Sequence, residues 1–137
     1  MCRSIVAYVA ACLVPAVAIA HHSFSAEFDE TRPIKVTGAI SRVEWQNPHI
    51  WIYLDVKGPD GKITSWGFSS NSPSQFMRRG VTKETFKTGV RITVEGYRAK
   101  DGSNNANLQK VTLPDEPPIV TDTRGPEGAS SADKVKK

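Results

Sequence analysis

At 137 residues, with 39% hydrophobic and 23% charged side chains, the chain has the size and composition of one globular domain. Its formal charge of +4 favours solubility and weak attraction to anions, and does not mark a nucleic-acid binder. Both cysteines, Cys2 and Cys12, fall within the first twenty residues. The remainder therefore has no thiolate for nucleophilic catalysis, zinc ligation, iron–sulfur clusters or disulfides.

Those twenty residues read as a secretory signal. Arg3 supplies the positive start, "SIVAYVAACLVPAVAIA" the apolar stretch, and Ala18-Ile19-Ala20 a small-residue cleavage site. The run is about long enough for an uncleaved membrane anchor, but Pro15 and the A-x-A pattern favour cleavage. Val9-Ala10-Ala11-Cys12 resembles a lipobox with a very short apolar lead-in. Cleavage after Ala20 predicts a periplasmic or secreted protein with no transmembrane segment. Loss of Arg3 from 18 basic against 14 acidic side chains lowers the surplus from +4 to +3.

Residues 21–32 read as an N-terminal arm. "IKVTGAISRVEW" (34–45) alternates apolar and polar residues through Ile34, Val36, Gly38 and Ile40, then changes phase at Val43 and Trp45. Such a slip predicts a strand with a bulge near Ser41-Arg42, and Gly38 suits sharp curvature. "HIWIYLDV" (49–56) is a strand rich in β-branched and aromatic residues, "KGPDGK" a turn, and "ITSWGFS" (63–69) the returning strand. A short helix follows, with Ser72 as N-cap, Pro73 at its first position, Gln75 completing a capping box and Gly80 ending it. Thr82 caps a further turn. "VRITVEGYRA" (90–99) and "NLQKVTL" (107–113) are the last strands, joined by "KDGSNN". From Pro114 the chain is rich in Pro, Gly, Ser and charge, and residues 114–137 read as a disordered tail.

The order β-β-β-α-β-β over residues 33–113 predicts an all-β domain with small α content. It matches an OB-like five-stranded Greek-key barrel with one short helix between strands 3 and 4.

Pairing Lys57 with Lys62 across the turn sets Tyr53 opposite Trp66 and Trp51 opposite Phe68, with His49 on the same face. This register puts four aromatic rings on one side of the hairpin, a candidate ligand face with Asn47 in the loop before it. A one-residue slip would reverse the sides. OB-folds bind ligands on this face and on the loops after strands one and four, here "QNPH" (46–49) and "KDGSNN" (100–105). The bland alternative is that Trp51, Tyr53, Trp66 and Phe68 only make cross-strand packing pairs. Arg78, Arg79, Lys83 and Lys87 could line a nucleic-acid groove, but the secretory address argues against one.

The stretches "HHSFSAEFD", "VTGAISRVEWQNPHIWIYLDV", "RRGVTKETFKTG" and "VEGYRAKDGSNNANL" together resemble a family of small secreted proteobacterial proteins known only as a domain of unknown function. The resemblance spans residues 21 to 113. It implies an exported, single-domain β protein and implies no activity.

Catalytic parts are scarce. There is no G-x-S-x-G, no phosphate-binding glycine loop, and no pair of inward acids beyond Glu44 and Asp55 near the hairpin. "DGSNN" has too few carboxylates for a calcium loop. The expectation is a non-catalytic protein, a monomer whose partner is a small ligand or a periplasmic protein, with no nucleic acid. The first reading is an exported binding or adaptor domain using the aromatic hairpin. The alternative is a periplasmic copper-binding protein, with copper the candidate cofactor. Cleavage would leave His21 with a free α-amine beside its own imidazole, and His22 and His49 could add ligands. This resembles the histidine-brace arrangement of other exported copper proteins. It requires His49 to lie within two or three residues' reach, roughly 10 Å, of the new N-terminus.

Overall fold

The computed structural model describes residues 24–121. The signal sequence, its cleavage site, His21, His22 and residues 122–137 lie outside the described residues.

A single helical turn, α1 (Phe24–Glu27), leads directly into a long strand, β1 (Phe28–Glu44). The strands β2 (Trp51–Lys57), β3 (Ile63–Ser69) and β4 (Arg91–Ala99) follow, and the last barrel strand comes in two pieces, β5 (Asn105–Asn107) and β6 (Lys110–Thr112). Neighbours run β1-β2-β3-β5-β4, and β4 returns to β1. The β3–β5 pair is parallel, and the other pairs are antiparallel. This circuit is the closed, five-stranded, OB-like barrel that the element order predicts. The helix α2 (Pro73–Met77) lies between β3 and β4, as expected, followed by a 3-10 turn at Lys83–Thr85. The Gln75 Oε1 accepts the Ser72 N–H at 3.3 Å, one half of the predicted capping box.

One strand closes the barrel because it changes partner partway. Pro33–Ala39 pairs with β4 and Ala39–Glu44 with β2. The register shifts between Ile40 and Arg42, where the change of phase predicts a bulge. Gly38 sits beside this corner, and a Cβ on it would come 2.6 Å from the Asp55 carbonyl oxygen. Only glycine lets the two strands approach so closely. Ile40, Ile52, Leu54, Phe68, Ile92 and Val94 fill the interior, each no more than 1% exposed. Phe76 of α2 plugs one end, with edge-on contacts to Trp45 (5.9 Å) and Phe86 (6.2 Å).

Three expectations are corrected. The arm 21–32 is not wholly separate from the barrel, because β1 starts at Phe28, which pairs with Ala99 and is 8% exposed. The turn in which Asp29 Oδ1 accepts the Thr31 N–H at 3.0 Å interrupts the ladder and hides the strand pattern. The tail 114–137 does not begin as an unstructured segment. A short strand, β7 (Ile119–Val120), pairs with β6, and Thr121 is 2% exposed. Its two apolar residues were too short a run to outweigh the surrounding Pro and charge.

The hairpin register is the third correction. Lys57 pairs with Ile63, not Lys62, so Leu54 faces Trp66 and Ile52 faces Phe68. The reason lies in the turn. Gly61, at φ +80°, donates its N–H to Gly58 C=O at 3.0 Å, and Asp60 Oδ1 takes the Lys62 N–H at 3.1 Å. Gly58 N–H then bonds Lys62 C=O at 2.8 Å. A left-handed glycine after the turn adds one residue to the loop.

Candidate functional site

The corrected register divides the four predicted ring residues. Trp66 and Phe68 share the face of Ile52 and Leu54. Phe68 is fully buried in the core, and Trp66 is half-buried and packed against it. Their rings stack at 6.2 Å, with the Arg98 guanidinium 5.4 Å from the Trp66 ring. Trp51 and Tyr53 occupy the opposite, outer face. Their rings stack at 6.1 Å and 18°, and they lie over Gly67. A Cβ there would come 2.6 Å from Asn105 Oδ1, and would meet Tyr53 at 3.3 Å and Trp51 at 3.4 Å. A four-ring platform therefore does not form; a two-ring one does.

Charge holds the outer pair at one end. The Arg42 guanidinium sits 4.0 Å over the Tyr53 ring and pairs with Glu44 at 3.1 Å. The Tyr53 hydroxyl donates to Glu44 Oε2 at 3.3 Å. Desolvation, then the negative Glu44, push the phenol above its ordinary range, partly offset by Arg42. At the other end Trp51 borders an open cleft of about 370 Å³, with Lys100, Asp101 and Asn105 from the far side. The predicted loop after the fourth strand thus reaches this face.

His49 lies at the rim of the barrel, in the loop after β1, which carries a cis Asn47–Pro48 bond. The next residue, Ile50, anchors it: Ile50 is fully buried, donates its N–H to Asn71 C=O at 3.0 Å and accepts from Ser70 N–H at 2.9 Å. The His49 Nδ1 lies 2.8 Å from the Ser70 carbonyl oxygen. A carbonyl only accepts, so Nδ1 is the donor in this bond, and the neutral tautomer that makes it has its lone pair on Nε2. Metal-binding histidines use this same arrangement, donating from one nitrogen to a carbonyl while the other ligates.

His49, Phe24, Glu27, Ser70 and Asn107 line one cavity of about 80 Å³. Asn107 Oδ1 is engaged by the Tyr97 N–H at 2.7 Å. Ser70 Oγ, in a residue only 2% exposed, has no hydrogen-bond partner. A buried hydroxyl left so costs about 1–3 kcal/mol unless something from outside the chain meets it. Phe24 is held against the barrel by its ring contacts with Phe28 (5.6 Å) and Tyr97 (6.2 Å). The Lys100 N–H and Nζ bond Glu27 C=O and Ser25 C=O at 2.9 and 2.6 Å, tying down the same turn.

Of the predicted metal ligands, only His49 is described. Among the described residues no three His, Cys, Asp or Glu side chains converge, so these residues alone supply no complete metal site. Asn47 is exposed and lines neither the cavity nor the cleft. Ser70 and Phe24 were not among the expected site residues. Ser70 carries no sequence signal beyond its position after β3, and Phe24 looked like part of a loose arm. Among the described residues no helix is long and apolar enough to cross a membrane. A family model described as Family of unknown function (DUF6152) matches residues 9–108. No curated protein matches the chain.

Proposed function

Since the chain belongs to the Family of unknown function (DUF6152), whose description assigns no activity, we propose from its own residues that it is an exported, non-catalytic copper(II)-binding protein. The observation that supports this reading is the cavity shared by Phe24 and His49. His21 stands three residues before Phe24. A chain of that length spans at most about 10 Å, and the reading requires His21 and His22 to use that span to approach His49. Cleavage after Ala20 gives His21 a free α-amine, and amine plus imidazole from one residue close a chelate ring. Nitrogen donors in a tetragonal set suit copper(II), which also heads the divalent affinity series. His22 adds an imidazole or backbone nitrogen, and His49 Nε2, with Nδ1 tied to Ser70, joins from the barrel. Ser70 Oγ lines the same cavity without a hydrogen-bond partner and would be available to a water that a bound metal carried.

The test uses the mature chain beginning at His21, titrated with copper(II) and followed by calorimetry and electron paramagnetic resonance. One tightly bound copper with nitrogen couplings is expected. Affinity should fall as pH drops, because protons compete with copper for the amine and imidazole nitrogens. One extra residue before His21 should cost much of the affinity, and His49→Ala a smaller part. Equal affinity for the native and extended N-termini would overturn the reading.

A further inference from the structure

The cleft beside Trp51 lies across Glu27 and Phe28 from the His49 cavity and is larger, about 370 Å³ against 80 Å³. We propose that it is a separate binding site for a neutral saccharide, with Trp51 as the stacking platform and Asn105 and Asp101 as partners for hydroxyl groups. This inference does not rest on the copper reading.

The platform is preorganised. Trp51 is held by its stack on Tyr53 at 6.1 Å, and both rings lie at contact distance from where a Cβ on Gly67 would stand. The ring therefore loses little freedom on binding, which favours a ligand laid flat against it. Ala26 and Ala99 line the cleft with short side chains. The volume falls within the range of small-molecule sites, about 300–1,000 Å³.

The polar lining selects the class. Asn105 offers both a donor and an acceptor. Asp101 is an exposed carboxylate whose Oδ1 accepts the Ser103 N–H at 2.9 Å, and a carboxylate has acceptor capacity beyond one such bond for a ligand hydroxyl. Lys100, one of whose three donors goes to Ser25 C=O, is the one cation in the lining, against two anions, Glu27 and Asp101. That balance disfavours phosphates, nucleotides and acidic polymers. A wholly apolar ligand would bury Asp101 and Asn105 without partners, at a cost of a few kcal/mol. A pyranose meets both demands: an apolar C–H face for the indole, and hydroxyls around its edge for the amide and carboxylate.

The test records indole N–H signals of the metal-free mature protein by NMR, with neutral hexasaccharides of glucose (α- and β-linked) and N-acetylglucosamine as probes. At least one should shift the Trp51 signal saturably. Asn105→Ala should weaken that probe several-fold and Trp51→Ala by about tenfold or more. Trp66→Phe, on the core side, should leave binding unchanged, and circular dichroism identifies any variant that has not folded. Three results would overturn the proposal: no shift with any probe up to about 10 mM, a shift unaffected by Asn105→Ala, or tighter binding of an acidic hexasaccharide than of its neutral counterpart.

Discussion

The main-chain carbonyl oxygen of Asn107 lies 1.8 Å from where a Cβ on Gly96 would stand. The strands β4 and β5 close the barrel beside this point, and Asn107 Oδ1 bonds the adjacent Tyr97 N–H at 2.7 Å. The approach is main chain against main chain, so no rotamer change can relieve an added methyl. Gly96→Ala must part the strands, combining overpacking of about 1–3 kcal/mol with loss of the Tyr97 bond, about another 1 kcal/mol. Urea unfolding should show the midpoint fall accordingly. An unchanged midpoint would mean that the closure is looser than described.

The division of the rings predicts unequal costs of truncation. Phe68 is fully buried, so Phe68→Ala should destabilise the domain by roughly 3–5 kcal/mol. Trp51 is half-exposed on the outer face, and Trp51→Ala should cost under about 1.5 kcal/mol. Paired denaturant curves measure both. Similar large losses would place Trp51 in the core and restore the predicted hairpin register.

The C-terminal strand predicts that truncation after Leu113 is felt. It removes the β6–β7 pairing, the packing of Ile119 against the core, the Arg79 bond to Val120 C=O and the Thr121 hydroxyl bond to Leu108 C=O. A net loss of about 1–2 kcal/mol corresponds to a Tm drop of roughly 5–10 °C in a domain this size. Thr121→Val alone should lower stability by about 1 kcal/mol, by leaving the Leu108 carbonyl without its hydroxyl partner. An unchanged Tm on truncation would show that β7 contributes nothing to the barrel.

Local chemistry determined much of this fold. The apolar alternation, its change of phase at Ser41-Arg42, the Ser72-Pro73 helix start and the turn residues each act over a few positions. Together they specify five strands, one helix and their order, and Gly38 marks the corner where β1 bends. The choice of His49 as a candidate ligand is likewise legible, because only three histidines exist. Tertiary structure decided the rest, for two physical reasons. Side chains alternate with a period of two, so one extra loop residue at Gly61 moved Trp66 and Phe68 inward and left Trp51 and Tyr53 outside. Proximity between distant segments has no local signature. Nothing near Phe24 announces that it will share a cavity with His49 and the unpaired hydroxyl of Ser70. Nor does anything near Ile119 announce that it will find the free edge of β6. Those meetings exist only because the closed barrel brings residues far apart in the chain to the same rim.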